Sequence, residues 1–158
     1  MKPLFRALFL LAVPASLVAQ QAPAGPPTDP ITAALRTRTA TLRRNLAQAF
    51  DSIPAAMFSY KPTAPQQTLG YIAQHLVNDN YFFCNNFGEM KATRPGDETA
   101  TPDSVKATWP KEKLVTSLKA SFTFCEQAFA QLSDAALAGT YTAVQGGQTR
   151  TVSRMSPV

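Results

Sequence analysis

Three times between residues 30 and 132 the apolar side chains return every three or four positions, with prolines before each run or just past its end. That spacing is the repeat of an α-helix with one face turned to a core, and it excludes the strict alternation of a half-buried strand. The first run places Ile31, Leu35, Leu42, Leu46 and Phe50 within one narrow arc. Asp29 stands where a cap belongs, and Pro30 suits a first turn in which its missing N–H leaves nothing unpaired. With Pro54 as a stop, a helix is predicted over 30–52. A second is predicted over 68–87, with Leu69, Ile72, Leu76, Phe83 and Phe87 on one stripe and Ala73, Val77 and Cys84 on another. A helix apolar on two sides is sandwiched between neighbours. Gly88 is placed to close it. The third runs from Pro110 to about Leu132 through Leu114, Leu118, Phe122, Cys125 and Phe129.

The connections read differently. Pro54, Pro62 and Pro65 exclude a continuous helix before Gln67, yet Met57, Phe58 and Tyr60 are too apolar to leave in water, so an ordered connector is expected. The polar stretch from Met90 to Thr108 reads as a long surface loop, of the kind that covers a site or is mobile. Ser133 caps a short turn, and the run from Gly139 to Thr151, with Gly146-Gly147 at its centre, reads as a small hairpin. The fold class is therefore all-α, with three main helices and a short hairpin-like C-terminal segment.

At the start of the chain Lys2 and Arg6 precede an apolar run, Ala7 to Val18, and small residues near Ala19. This is the plan of a cleaved secretory signal; the run is shorter than the ~20 apolar residues a membrane span needs, and it contains Pro14. Residues 1–19 are assigned to the signal, 20–29 to a flexible linker rich in Pro, Ala and Gly, and 30–158 to one domain. A secreted or periplasmic product with no stable membrane insertion is expected. Loss of Lys2 and Arg6 lowers the net charge from +5 to +3. Arg36, Arg38, Arg43 and Arg44 carry much of that excess, but they spread around their helix and no nucleic-acid-binding module accompanies them. A solvated face is expected, and nucleic acid is not a partner.

His75 is the only histidine, with Asp79 one turn further along the same helix edge and Phe82 and Asn86 beyond. As a metal ligand it needs companions, since a catalytic zinc takes three protein ligands and keeps one position open; Asp79 supplies one donor or orients the ring. As a boundary residue it needs only one hydrogen bond. Cys84 and Cys125, the only cysteines, lie on faces that helix packing brings together. In an exported chain a disulfide is the expected outcome, with buried thiols and a reactive thiol as the alternatives. No phosphate-cradling glycine loop, nucleophile elbow or Cys-x-x-Cys pair is present.

The succession Ile53-Pro54, Phe58-Ser-Tyr-Lys-Pro-Thr63, Leu69-Gly-Tyr-Ile-Ala-Gln-His75 and Tyr81-Phe-Phe-Cys84, continued by Leu114 to Phe129, resembles the DinB/YfiT-like family. The resemblance implies a four-helix bundle packed up-down-down-up and a divalent metal, zinc or nickel, held by three histidines. It also implies kinship with metal-dependent thiol transferases and isomerases, with other members grouped as hydrolases. His75 matches the first ligand. The family's His-x-x-x-His pair on a last helix has no counterpart, because the chain reads Thr149-Arg-Thr-Val-Ser-Arg-Met-Ser-Pro-Val158 where that helix would begin. The bundle is thus expected to be truncated to three helices, as a fragment or as a relative that has lost its site. Tight metal binding is not expected, with Asp79 as the only nearby support for His75. The alternative to a metal-dependent enzyme is a non-catalytic helical domain. It would act through a partner or as a homodimer, using the apolar face a fourth helix would have covered.

Overall fold

The computed structural model describes residues 28–87 and 90–155. The signal, most of the linker, Gly88 and Pro157 lie outside them. The elements are α1 (Pro30–Ser52), a short 3-10 turn (Ala55–Ser59), α2 (Leu69–Phe87), α3 (Gly96–Ala100), α4 (Asp103–Lys106), α5 (Lys111–Ala130), α6 (Asp134–Leu137), β1 (Thr140–Gln145) and β2 (Gln148–Ser153). The three long helices fall within two residues of their predicted bounds.

α5 is the hub, packing along both α2 and α1. Asn80 donates to the Ser121 hydroxyl at 2.9 Å, and Cys84 is bonded to Cys125; both pairs are separated by 41 positions. A constant offset means that α2 and α5 run parallel. α1 runs the other way, because Asp51 pairs with Lys119 while Arg43 pairs with Glu126 and Arg36 reaches Leu132. The core between them holds Ala73, Val77, Cys84, Leu114, Leu118, Phe122 and Phe129. Of the two stripes on α2 it is the smaller-residue one, Ala73, Val77 and Cys84, that is buried. Small side chains let α5 approach closely. Gly70 admits a different neighbour: a Cβ there would lie 2.2 Å from the carbonyl oxygen of Ala107, at the end of α4.

The start of α1 departs from expectation. The Asp29 side chain caps nothing in α1; its Oδ1 accepts the backbone N–H of Asp134 at 2.9 Å. Asp134 supplies the cap instead, its carboxylate accepting from the N–H groups of Ile31 (3.1 Å) and Thr32 (2.8 Å) and from the Thr32 hydroxyl (2.9 Å). Four N–H groups at a helix start lack partners within the helix, and here a residue about a hundred positions away fills the role. Ser133 caps α6 as expected, accepting from the Ala136 N–H.

Residues 90–108 lie mostly at the surface, as their polarity suggests, but they are not an irregular loop. They fold into α3 and α4, and Glu98 and Lys106 are each only 5% exposed. The Glu98 carboxylate accepts the Ser117 hydroxyl, Lys106 donates to the Glu98 carbonyl at 3.1 Å and pairs with Asp103 at 2.8 Å, and Arg94 lies over the Tyr81 ring. A periodicity reading misses such a segment because the side chains it buries are charged. The connector is corrected in the opposite sense: Phe58 is buried, but Met57 and Tyr60 remain substantially in water. The basic face of α1 is only partly solvated. Arg36 donates to the carbonyls of Phe129 and Leu132, closing the end of α5, and Arg43 pairs with Glu126. β1 and β2 pair antiparallel from Thr140↔Ser153 to Gln145↔Gln148, with Gly146 and Gly147 at positive φ in the turn.

Loop-closure entropy for a separation of 41 gives the disulfide a worth of about 4 kcal/mol. The double variant Cys84→Ser/Cys125→Ser should lose about that much in denaturant unfolding, and neither native cysteine should alkylate before reduction. Wild-type stability in both measurements would refute the bridge.

Four carboxylates titrate below their ordinary values. Hydrogen bonds from Lys113, Lys106 and Arg43 lower Asp97, Asp103 and Glu126 respectively. For Asp134, desolvation pushes upward but is outweighed by the Thr32 and Ile31 N–H groups, the Thr32 hydroxyl and Arg36. Depressed folded pKa values supply stability that is complete above the unfolded values of about 4 and is lost as pH falls through the folded ones. The melting temperature attributable to these groups should therefore hold level from pH 7 to about 5 and fall below about 4. Asp134→Ala should lower it at neutral pH and remove part of the acid-dependent fall; an unchanged melting curve would show that the cap does not stabilise α1.

Candidate functional site

His75 and Asp79 sit on the outer edge of α2, where the four-residue step of the helix sets one above the other. His75 Nε2 is 3.3 Å from Asp79 Oδ2, with the side chains 54% and 42% exposed. The Tyr71 ring stacks on the imidazole, centroids 5.9 Å apart. The other two residues on this edge do not join them: Phe82 makes an edge contact with Phe83, and the Asn86 amide donates to the Phe82 carbonyl.

A resident metal needs converging donors. Among the described residues no three His, Cys, Asp or Glu side chains converge for one. The two cysteines are bonded to each other, which removes the free-thiol and reactive-thiol readings and withdraws the sulfur donors. Asp79 faces the nitrogen that points along the helix edge, so the pair amounts to one oriented imidazole rather than the donor set of a zinc or nickel centre. These residues do not fit the group that the resemblance implies, and no catalytic step is derived through it.

The larger feature is apolar. α1 and α2 stand on either side of α5, and the space between them is a groove of about 730 Å³ lined by Leu35, Leu42, Leu46, Phe83, Phe122 and Phe129, with the disulfide in its wall. Its rims are wet: Leu42 is 58% and Phe83 38% exposed, and Ile31 and Ile72 extend the apolar surface along each helix. Leu35, Leu42 and Leu46 of the α1 stripe and Phe83 and Cys84 of the α2 stripes thus face this opening. A second cleft of about 680 Å³ lies at the opposite end of α2, lined by Phe58, Tyr71 and Trp109 together with Lys61 and Glu112.

Sequence reasoning located His75, Asp79 and the cysteines but missed the Asp29–Asp134 exchange and the buried Glu98 and Lys106. The doubled stripe on α2 was the available signal for the groove, since a helix apolar on two sides with one neighbour leaves the other side open. No helix among the described residues is long and apolar enough to cross a membrane.

No curated protein and no solved structure matches the chain. Residues 38–155, from within α1 to just past β2, match the DinB superfamily. That match covers the greater part of α1, the other two long helices and the hairpin, and it places the chain in the DinB superfamily.

Proposed function

We propose that this chain is an exported DinB-superfamily domain that acts by binding, with the groove between α1 and α2 taking up an apolar helical surface. The observation that carries the reading is the groove itself, walled by Leu42 and Phe83, whose side chains both remain partly in water. Contiguous exposed apolar surface marks an interaction site, and a trough between two helices suits a third laid along it. Export is supported by the basic, apolar and small-residue succession over residues 1–19 and by a disulfide of the kind that persists outside the cytoplasm.

The exposed carboxylate–imidazole pair favours a second reading, in which His75 is one ligand of a metal whose other donors come from outside the described residues. On the binding reading, chain exchanged against zinc or nickel and then dialysed retains far less than one equivalent, and His75→Ala changes nothing. Metal retained at one equivalent and lost in His75→Ala would replace the binding reading with the metal-site one.

For the groove, a model peptide with leucines along one helical face should bind with saturation in a fluorescence titration. Leu42→Glu should weaken it at least ~10-fold, the effect of removing a central apolar contact. The same variant should keep the wild-type melting temperature within a few degrees, because Leu42 is already mostly in water. Absence of binding by the wild type, or equal binding by the variant, would sink the proposal.

A further inference from the structure

The cleft at the start of α2 differs in make-up from the groove and shares none of its lining residues. Its volume of about 680 Å³ falls within the roughly 300–1,000 Å³ that small-molecule sites occupy. Separate stretches of chain wall it: the 3-10 turn gives Phe58, α2 gives Tyr71, the segment between α4 and α5 gives Trp109, and the start of α5 gives Lys111 and Glu112. Three aromatic rings, distant in sequence, therefore meet one opening. Phe58 is buried, while Tyr71 and Trp109 are half-buried and keep part of their surface for a ligand. Rings of this kind favour offset or edge contacts with another ring.

The charged side chains on the same walls do not balance. Lys61 and Lys111 stand against Glu112, two positive charges to one negative. Lys111 donates to the carbonyls of Asp51 and Ile53, both at 2.7 Å, so neutral acceptors hold it in place and leave its charge uncancelled by them. Lys113, whose Nζ lies 3.4 Å from the centroid of the Trp109 ring, is paired with Asp97 and adds no net charge. Lys61 is exposed and needs no rearrangement to meet an anion.

We propose that this cleft binds a small aromatic acid, its ring against Tyr71 and Trp109 and its carboxylate towards Lys61. The ring answers the apolar walls, and the acid answers the excess of positive charge. Tyr71 also joins the cleft to the polar pair on α2, because its ring stacks on His75 with centroids 5.9 Å apart. A ligand against Tyr71 changes the surroundings of the imidazole without touching it.

The chain supplies its own reporters, since Trp109 is the only tryptophan and His75 the only histidine. In a proton NMR titration with naphthoate, the Trp109 indole N–H and the His75 ring protons should shift together and saturate. Naphthamide keeps the rings without the charge and should bind roughly 5-fold more weakly, the upper end for a charge pair in contact with water. Acetate keeps the charge without the rings and should bind at least ~10-fold more weakly than naphthoate. Lys61→Gln should bring naphthoate down to the level of naphthamide, leave naphthamide unchanged and keep the wild-type melting temperature. Leu42→Glu, in the groove, should alter neither ligand, which separates this site from the groove reading. Failure of naphthoate to saturate, equal binding of acid and amide by the wild type, naphthoate binding untouched by Lys61→Gln, or saturation with Trp109 and His75 both silent would each overturn the proposal.

Discussion

The parallel packing of α2 on α5 sets the terms for everything else in this molecule. It is held at one level by the Asn80–Ser121 hydrogen bond and one turn further by the Cys84–Cys125 bridge. Residues 73 and 77 are small enough for the helices to close on each other. A parallel pair cannot be joined by a short turn. α2 has 19 residues and is about 28 Å long, and the chain must travel back over that length before α5 begins. Residues 90–108 are that return path; most of them stay at the surface, but where they recross the pair Glu98 and Lys106 turn inward.

This explains why two charged side chains of a polar segment are buried. Glu98 and Lys106 enter the protein on α3 and α4 and find their partners there: the Ser117 hydroxyl, the Glu98 carbonyl and Asp103. Burying charges of opposite sign seldom adds net stability over apolar packing, but removing one partner of such a set is strongly destabilising. The cluster therefore acts mainly to fix where the crossover lies. Arg94 completes it through the Tyr81 ring, and its Nε stands 3.5 Å from Glu98 Oε2, close enough for attraction and too far for a good hydrogen bond.

What could be read from the sequence follows from the same division. Helices whose apolar residues repeat every three or four positions declare themselves, and α1, α2 and α5 were legible almost to their ends. The disulfide was legible because two cysteines on facing stripes, in a chain whose first residues read as a secretory signal, have few other expected uses. Interactions that join distant residues were not legible. Nothing local to Asp29 or Asp134 announces that each holds the backbone of the other's helix, and nothing in the composition of residues 90–108 separates a solvated loop from a strap with buried charges. Of the apolar stripe on α1, Phe50 lies in the core and Leu35 and Leu46 pack against it while Ile31 and Leu42 stay in water, because periodicity tells which face is apolar and leaves open what covers it. For the candidate site, position was legible and surroundings were not: His75 and Asp79 do pair, but their exposure follows from the open side of α2.

That open side also links the polar pair to the groove. Asp79 and Phe83 are one turn apart on α2, so whatever lies against Phe83 comes close to the carboxylate that holds His75. An exposed ion pair is worth little, since water screens it. The same pair at the rim of a covered surface is held in a drier setting, where an imidazole and a carboxylate in fixed orientation act as a specific polar contact. In this fold, then, the residue that the resemblance casts as a metal ligand stands beside the apolar groove. Its contribution depends on what fills the groove more than on any donor its own chain brings to it.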